Sequence, residues 1–194
     1  MNLKKFVLPL ILSLFFTSIL KSNDIKDFEI DKMTIGESLL SYYSINEIEQ
    51  AKKLYYPSGN KEFFDILLRS KVGSEYEDFQ FGLKSNDNDY KIYNVQGVIT
   101  IKDITACNLK RSKISKEILT TLNINSQSDY ENNFGGKLGK SKAYISDFEI
   151  SNGIIRTMCR TWDKKNNKVK HFVDNIAISI SSSEYMDWID HKAY

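Results

Sequence analysis

Cys107 and Cys159 are the only cysteines in this 194-residue chain, and the first chemistry a lone pair suggests is a single disulfide. In a protein bound for an oxidising compartment, an even cysteine count reads as a bridge. Closing a loop of about fifty residues in this way removes unfolded-state entropy worth roughly 4 kcal/mol. The competing chemistry is a thiolate nucleophile at Cys159 assisted by His171 and Asp174. Such a thiol needs a depressed pKa in a partly exposed, electropositive setting, whereas the pattern around Cys159 turns it inward. The disulfide is the expectation.

Other constellations fail on spacing. The run Gly135-Gly136-Lys137-Leu138-Gly139-Lys140-Ser141 ends like a phosphate-binding loop. The motif wants Gly where Phe134 stands, a strand before it and a helix after it, and here a strand follows. Gly36-Glu37-Ser38 lacks the second Gly of a nucleophile elbow. His171 and His191 are too few and too far apart for a zinc site, and Asp87 and Asp89 lack the Gly and distal Glu of a calcium loop. No metal and no cofactor is expected.

One charge pattern survives. Residues 102–142 carry eight basic and four acidic side chains, with Lys110, Arg111, Lys113 and Lys116 followed by Lys137, Lys140 and Lys142. Ordinarily such a run is a solvated face. Its functional reading is a docking surface for an anionic partner such as phospholipid headgroups or an acidic glycan. Trp162, Tyr90 and Tyr93 would add stacking surface, although aromatics at strand spacing more often belong to a core.

The elements that must carry these residues are legible as follows. Thr34-Ile35-Gly36-Glu37 and Ser44-Ile45-Asn46-Glu47 both fit the capping box, so two short helices are expected, the first running to Tyr43 and the second stopping before Pro57. Residues 63–69 and 76–83 alternate as strands. Residues 90–101 form a third strand, with a bulge or bend where residues 94–97 interrupt the alternation. Residues 103–122 are helical, with Ile104, Cys107, Ile114, Ile118 and Leu122 on one stripe. Arg111 shares that stripe, so it must snorkel or pair with a carboxylate. Residues 123–142 read as a long loop.

Residues 143–162 then form a hairpin about Asn152-Gly153, the preferred pair for a two-residue type I′ turn. That register sets Ser151 opposite Ile154, Ile150 opposite Ile155, Ser146 opposite Cys159 and Glu149 opposite Arg156. A last strand at 176–180 leads into a C-terminal helix capped by the serines at 181–183, with Tyr185, Trp188 and Ile189 inward. The sum is an α+β domain: an antiparallel sheet of about six strands, a long central helix packed on one face, short N-terminal helices and a C-terminal helix.

Residues 6–20 form an apolar run of about fifteen, preceded by Lys4 and Lys5, shorter than the roughly twenty a membrane span needs and interrupted by Pro9. Residues 1–22 therefore read as a signal peptide and 23–194 as a single globular domain. The formal net charge is +2, and removing that segment leaves 24 basic against 25 acidic residues. A near-neutral balance lacks the basic footprint of a nucleic-acid binder. The expectation is an exported, periplasmic or secreted, non-catalytic binding or accessory protein. The alternatives are a carboxylate-dependent hydrolase of the cell envelope, or a membrane-tethered interaction domain if residues 6–20 are retained.

Overall fold

In a computed structural model describing residues 24–165 and 172–194, seven strands form one antiparallel sheet in the order β1-β2-β3-β7-β6-β5-β4. They are β1 (Phe63–Arg69), β2 (Asp78–Lys84), β3 (Ile92–Thr100), β4 (Ser128–Asn133), β5 (Lys142–Ile150), β6 (Gly153–Thr161) and β7 (Asn175–Ser182). Among the described residues they are accompanied by the helices α1 (Ile45–Gln50), α2 (Ile104–Leu122) and α3 (Ser183–His191). The architecture is α+β. The segment expected to be a signal, residues 1–22, and His171 lie outside the described residues.

Five expectations are corrected. The sheet has seven strands rather than about six, because β4 occupies part of the stretch expected to be a loop. All six of its side chains are exposed, so it carries no apolar alternation; it is held by backbone pairing to β5. Charged and polar side chains suit an edge strand, where they discourage pairing with another molecule. The first capping box forms no helix. Gly36 takes φ +91°, and the backbone there pairs with β3 through Gly36 N–H to the Ile92 carbonyl and Ile92 N–H to the Glu37 carbonyl. Only a 3-10 turn, Leu39–Ser41, follows, capped by Ser38.

The hairpin register moves by two residues. Ile150 pairs with Gly153, Phe148 with Ile155, Asp147 with Arg156 and Tyr144 with Cys159, so the loop residues are Ser151 and Asn152. Asn152 alone takes positive φ, at 64°. Gly153 belongs to the strand, and it is glycine for lack of room: a Cβ there would lie 2.3 Å from the Ser181 carbonyl oxygen and 2.8 Å from Ile25 Cγ1. A slip of two keeps every side chain on its expected face. The bulge falls at Tyr93, since Gly82 faces Asn94 and Leu83 faces Ile92, while residues 94–98 pair without a break.

The fifth correction concerns the long helix. Asp103 caps α2 by accepting from Ala106 N–H, and Asn123 ends it in the left-handed conformation. The helix packs chiefly over β6, beside the central strand β7, and covers only part of the face. The remainder of that face is covered by the N-terminal segment, whose Ile30, Met33, Ile35, Leu39, Tyr43 and Ile48 join Phe64, Ile66, Phe79, Phe81 and Val95 in the main core. α3 packs on the opposite face, with Tyr185 and Trp188 against Phe63. The helices are thus divided between the two faces. The sulfurs of Cys107 and Cys159 lie 2.04 Å apart, buried against Ile176, and tie the first turns of α2 to β6.

Candidate functional site

α2 lies over β6 with two unlike flanks. On the flank toward β5, Arg111 turns inward: its Nη1 donates to Asp129 Oδ1 at 3.2 Å and to the Ser146 hydroxyl, and its Nε donates to Asn108. Of the two outcomes open to an arginine on an apolar stripe, pairing with a carboxylate is the one found. On the other flank, α2 stands apart from residues 28–30 of the N-terminal segment and leaves a groove of about 690 Å³.

The groove has an isoleucine floor. Ile99 of β3, Ile178 and Ile180 of β7 and Ile155 of β6 project from the sheet, and Ile114 and Ile118 from α2 form one wall. Ile155 and Ile180 are buried, while Ile99, Ile114 and Ile178 remain partly open to solvent. These positions follow from periodicity: 114 and 118 are one helical turn apart on α2, and 178 and 180 share one face of β7. Leu109, 69% exposed, stands at the rim. The polar groups around the mouth are Lys110, Lys113 and Glu117 from α2, with Glu29 and Glu75 across from them. A concave apolar surface of this volume with a few polar groups at its edge is the usual form of a small-molecule site.

The basic residues singled out from the sequence stand in different local settings. Lys110 and Lys113 reach the groove mouth, where Lys113 makes an exposed 3.9 Å contact with Glu117 that contributes little to stability. Lys116 is exposed on α2 and Lys140 is exposed in the turn after β4. Lys142 is tied to Glu131 of β4 at 2.6 Å. Lys137 lies in the 3-10 turn Gly136–Leu138, and its side chain is outside the described residues. Tyr93 packs with Phe63 beneath α3, and Trp162 stacks on Phe134. The two cysteines, expected as a bridge, are together.

No family model, curated protein or solved structure matches this chain. The reading of its sites therefore rests on their own chemistry. Among the described residues no group of three or more His, Cys, Asp or Glu side chains is arranged to hold a metal ion, and no helix is long and apolar enough to cross a membrane.

Two residues were missed by sequence reasoning. Arg160 sits on the α3 face of the sheet, and its charge looked like that of any outward strand position. Asp65 is a carboxylate 1% exposed within the run at residues 63–68, which is otherwise apolar, and its position between Phe64 and Ile66 was the available signal. Tyr56 Oη and Gln80 Nε2 each donate to its Oδ2 at 2.6 Å, and Tyr185 Oη donates to its Oδ1 at 2.8 Å. So enclosed, Asp65 has no open face for a substrate; it fastens α3 and residues 54–56 to β1.

Burial pushes the Asp65 carboxyl up, against the downward pull of the bonds from Tyr56, Tyr185 and Gln80. A carboxyl whose folded pKa exceeds its unfolded value binds its proton more tightly in the native state. Its contribution is fullest below about pH 4 and declines as pH rises through the folded pKa. Asp65→Asn cannot ionise. The urea midpoint of the wild type, measured against that of Asp65→Asn, should therefore fall as pH is raised from about 3.5 to 7. A wild type that gains on the variant over this range would show that the three donors outweigh burial.

Proposed function

We propose that this is an exported, non-catalytic binding protein that holds an amphipathic small molecule, its apolar part on the isoleucine floor beside α2 and its anionic end at Lys110 and Lys113. The observation that carries the reading is the partly open set Ile99, Ile114 and Ile178, apolar side chains that the fold leaves lining a concave space. Covering such surface with a ligand's hydrocarbon is worth about 25 cal/mol per Å². Export is supported by the apolar run at residues 6–20 and by a disulfide, which persists in oxidising compartments. The anionic end is supported by Lys110 and Lys113, exposed on the α2 side of the mouth next to the apolar floor, where Glu117, Glu29 and Glu75 are the acidic groups they share it with.

The test is titration of the purified protein with an environment-sensitive anionic fluorophore, anilinonaphthalene sulfonate, followed by displacement with a long-chain fatty acid. One saturable site displaced by the acid is expected. Ile178→Trp, which fills the groove from the sheet side, should weaken binding at least about tenfold, the scale of losing a few buried methylenes. Lys110→Glu combined with Lys113→Glu should weaken the acid more than the corresponding alcohol. Unchanged affinity in Ile178→Trp would overturn the proposal. Cell fractionation with N-terminal sequencing separates a released protein from the tethered alternative.

A further inference from the structure

On the α3 face, away from the groove, a second cleft of about 440 Å³ opens beside Arg160. Gln80, Gln96, Thr100 and Asn175 give it a polar lining, and Trp162 and Phe172, in contact at 4.4 Å between ring centroids, form an apolar wall. Arg160 Nε donates to Asn175 Oδ1 at 3.0 Å, and the Asn175 amide is held by its own 2.8 Å bond to the Val173 carbonyl. The outer Nη edge of the guanidinium has no hydrogen-bond acceptor among the described residues, and none of their carboxylates lies within ion-pair distance of it. Nor can a carboxylate side chain come from the rest of the chain. Residues 1–23 and 166–171 contain no Asp or Glu.

The cleft's own acids are engaged elsewhere. Glu77 accepts from Thr100 N–H and Oγ1 through its two oxygens, at 3.2 and 2.7 Å, and Asp78 pairs with the exposed Arg69 at 3.1 Å. Arg160 is thus a largely covered cation without a counter-charge, and burial alone pulls its pKa down to about 10. Leaving a desolvated charge unpaired is costly. A ligand that brings the missing oxygens recovers that cost on binding, and a free guanidinium edge fits two coplanar oxygens best.

We propose that this cleft binds a small planar carboxylate, gripped by the Nη edge of Arg160 with its apolar body against Trp162 and Phe172. A monoanion suits the site better than a phosphate, because Glu77 and Asp78 at its edge repel a second negative charge. This site is independent of the groove beside α2. Either can fail without the other.

The experiment uses the full chain with benzoate as probe, read by Trp162 fluorescence and by thermal shift, since the other tryptophan, Trp188, is buried on the inner side of α3 against Phe63. Benzoate should bind saturably with a dissociation constant of about 1 mM or tighter, and benzamide, which has the same shape without the charge, at least tenfold more weakly. Arg160→Lys keeps the charge but loses the fork and should weaken benzoate at least tenfold, while Arg160→Gln should abolish saturation. Three results would overturn the proposal: no saturable response of the wild type to benzoate, equal binding of benzamide, or tighter binding of inorganic phosphate. The first two need no variant, so a folding defect at position 160 leaves the test intact.

Discussion

Replacing both cysteines, Cys107→Ser with Cys159→Ser, is expected to lower the unfolding free energy by about 4 kcal/mol, the loop-closure entropy of a bridge between residues 52 apart. Domains of this size are stable by about 5–15 kcal/mol, so the loss would be a large share of the whole. The bridged loop contains most of α2, all of β4 and β5 and most of β6. Opening it frees in the unfolded chain the elements that make one flank of the sheet. In the native state the sulfurs pack on Ile176, with Ile99, Ile101, Ile104 and Tyr144 around them. Two serine hydroxyls there would add the cost of burying polar groups with few partners.

Urea unfolding of the double variant and of the wild type, with and without reductant, measures the effect. A difference below about 1 kcal/mol would show that loop closure contributes little here, as happens when the unfolded chain retains structure. Because the bridge anchors the first turns of α2, whose later turns wall the groove, reduction should also weaken fluorophore binding. That second readout connects stability to the proposed function.

What was legible in the sequence were features set by local chemistry. Ser44 and Glu47 form their reciprocal cap, and Ser182, one of the serines at 181–183, caps α3. The two cysteines fall on the inward faces of a helix and a strand whose periodicities are each plain in isolation. Features decided by distant partners were not legible. Thr34 to Glu37 has a cap's residue types, but pairing of that backbone with Ile92 set its conformation. β4 has no buried apolar side chain to announce it, because a solvent-exposed edge strand is specified by its neighbour's backbone. Gly153 looked like a turn glycine, whereas its need is the nearness of Ser181 and Ile25, which no local pattern encodes.

The sites divide in the same way. Lys110 and Lys113 were visible as charge but not as the rim of a groove, since the facing wall is residues 28–30, some eighty positions earlier. Arg111 and Arg160 are both inward-directed arginines. The difference that matters, a carboxylate beside one and none beside the other, depends on strand pairing. Asp129 meets Arg111 only because β4 adds to β5.

Arg156→Ala is expected to cost about 3–5 kcal/mol, the penalty for removing one partner of a buried ion pair. Arg156 lies directly across from Asp147, and the guanidinium meets the carboxylate with two bonds, Nε to Oδ1 at 2.6 Å and Nη2 to Oδ2 at 2.7 Å. Their side chains are only 24% and 10% exposed, so the variant would leave Asp147 charged with little solvent to receive it. Burial pulls the Arg156 pKa down, but the bonds and charge of Asp147 more than offset this and leave it raised. The register matters here. Two residues away, Glu149 faces Ile154 and could not supply this pair. Tyr130 of β4 donates to the same Asp147 oxygen at 2.9 Å, so the loss should spread to the edge strand, and amide exchange across residues 128–133 should quicken more than across β1. The double variant Asp147→Leu with Arg156→Met removes both charges, and it should recover most of the stability lost in Arg156→Ala, because an apolar pair of similar volume needs no desolvation. If the double variant is instead as unstable as the single one, the fork between these two side chains carries net stability of its own, and the polar face of the sheet depends on it for more than charge balance.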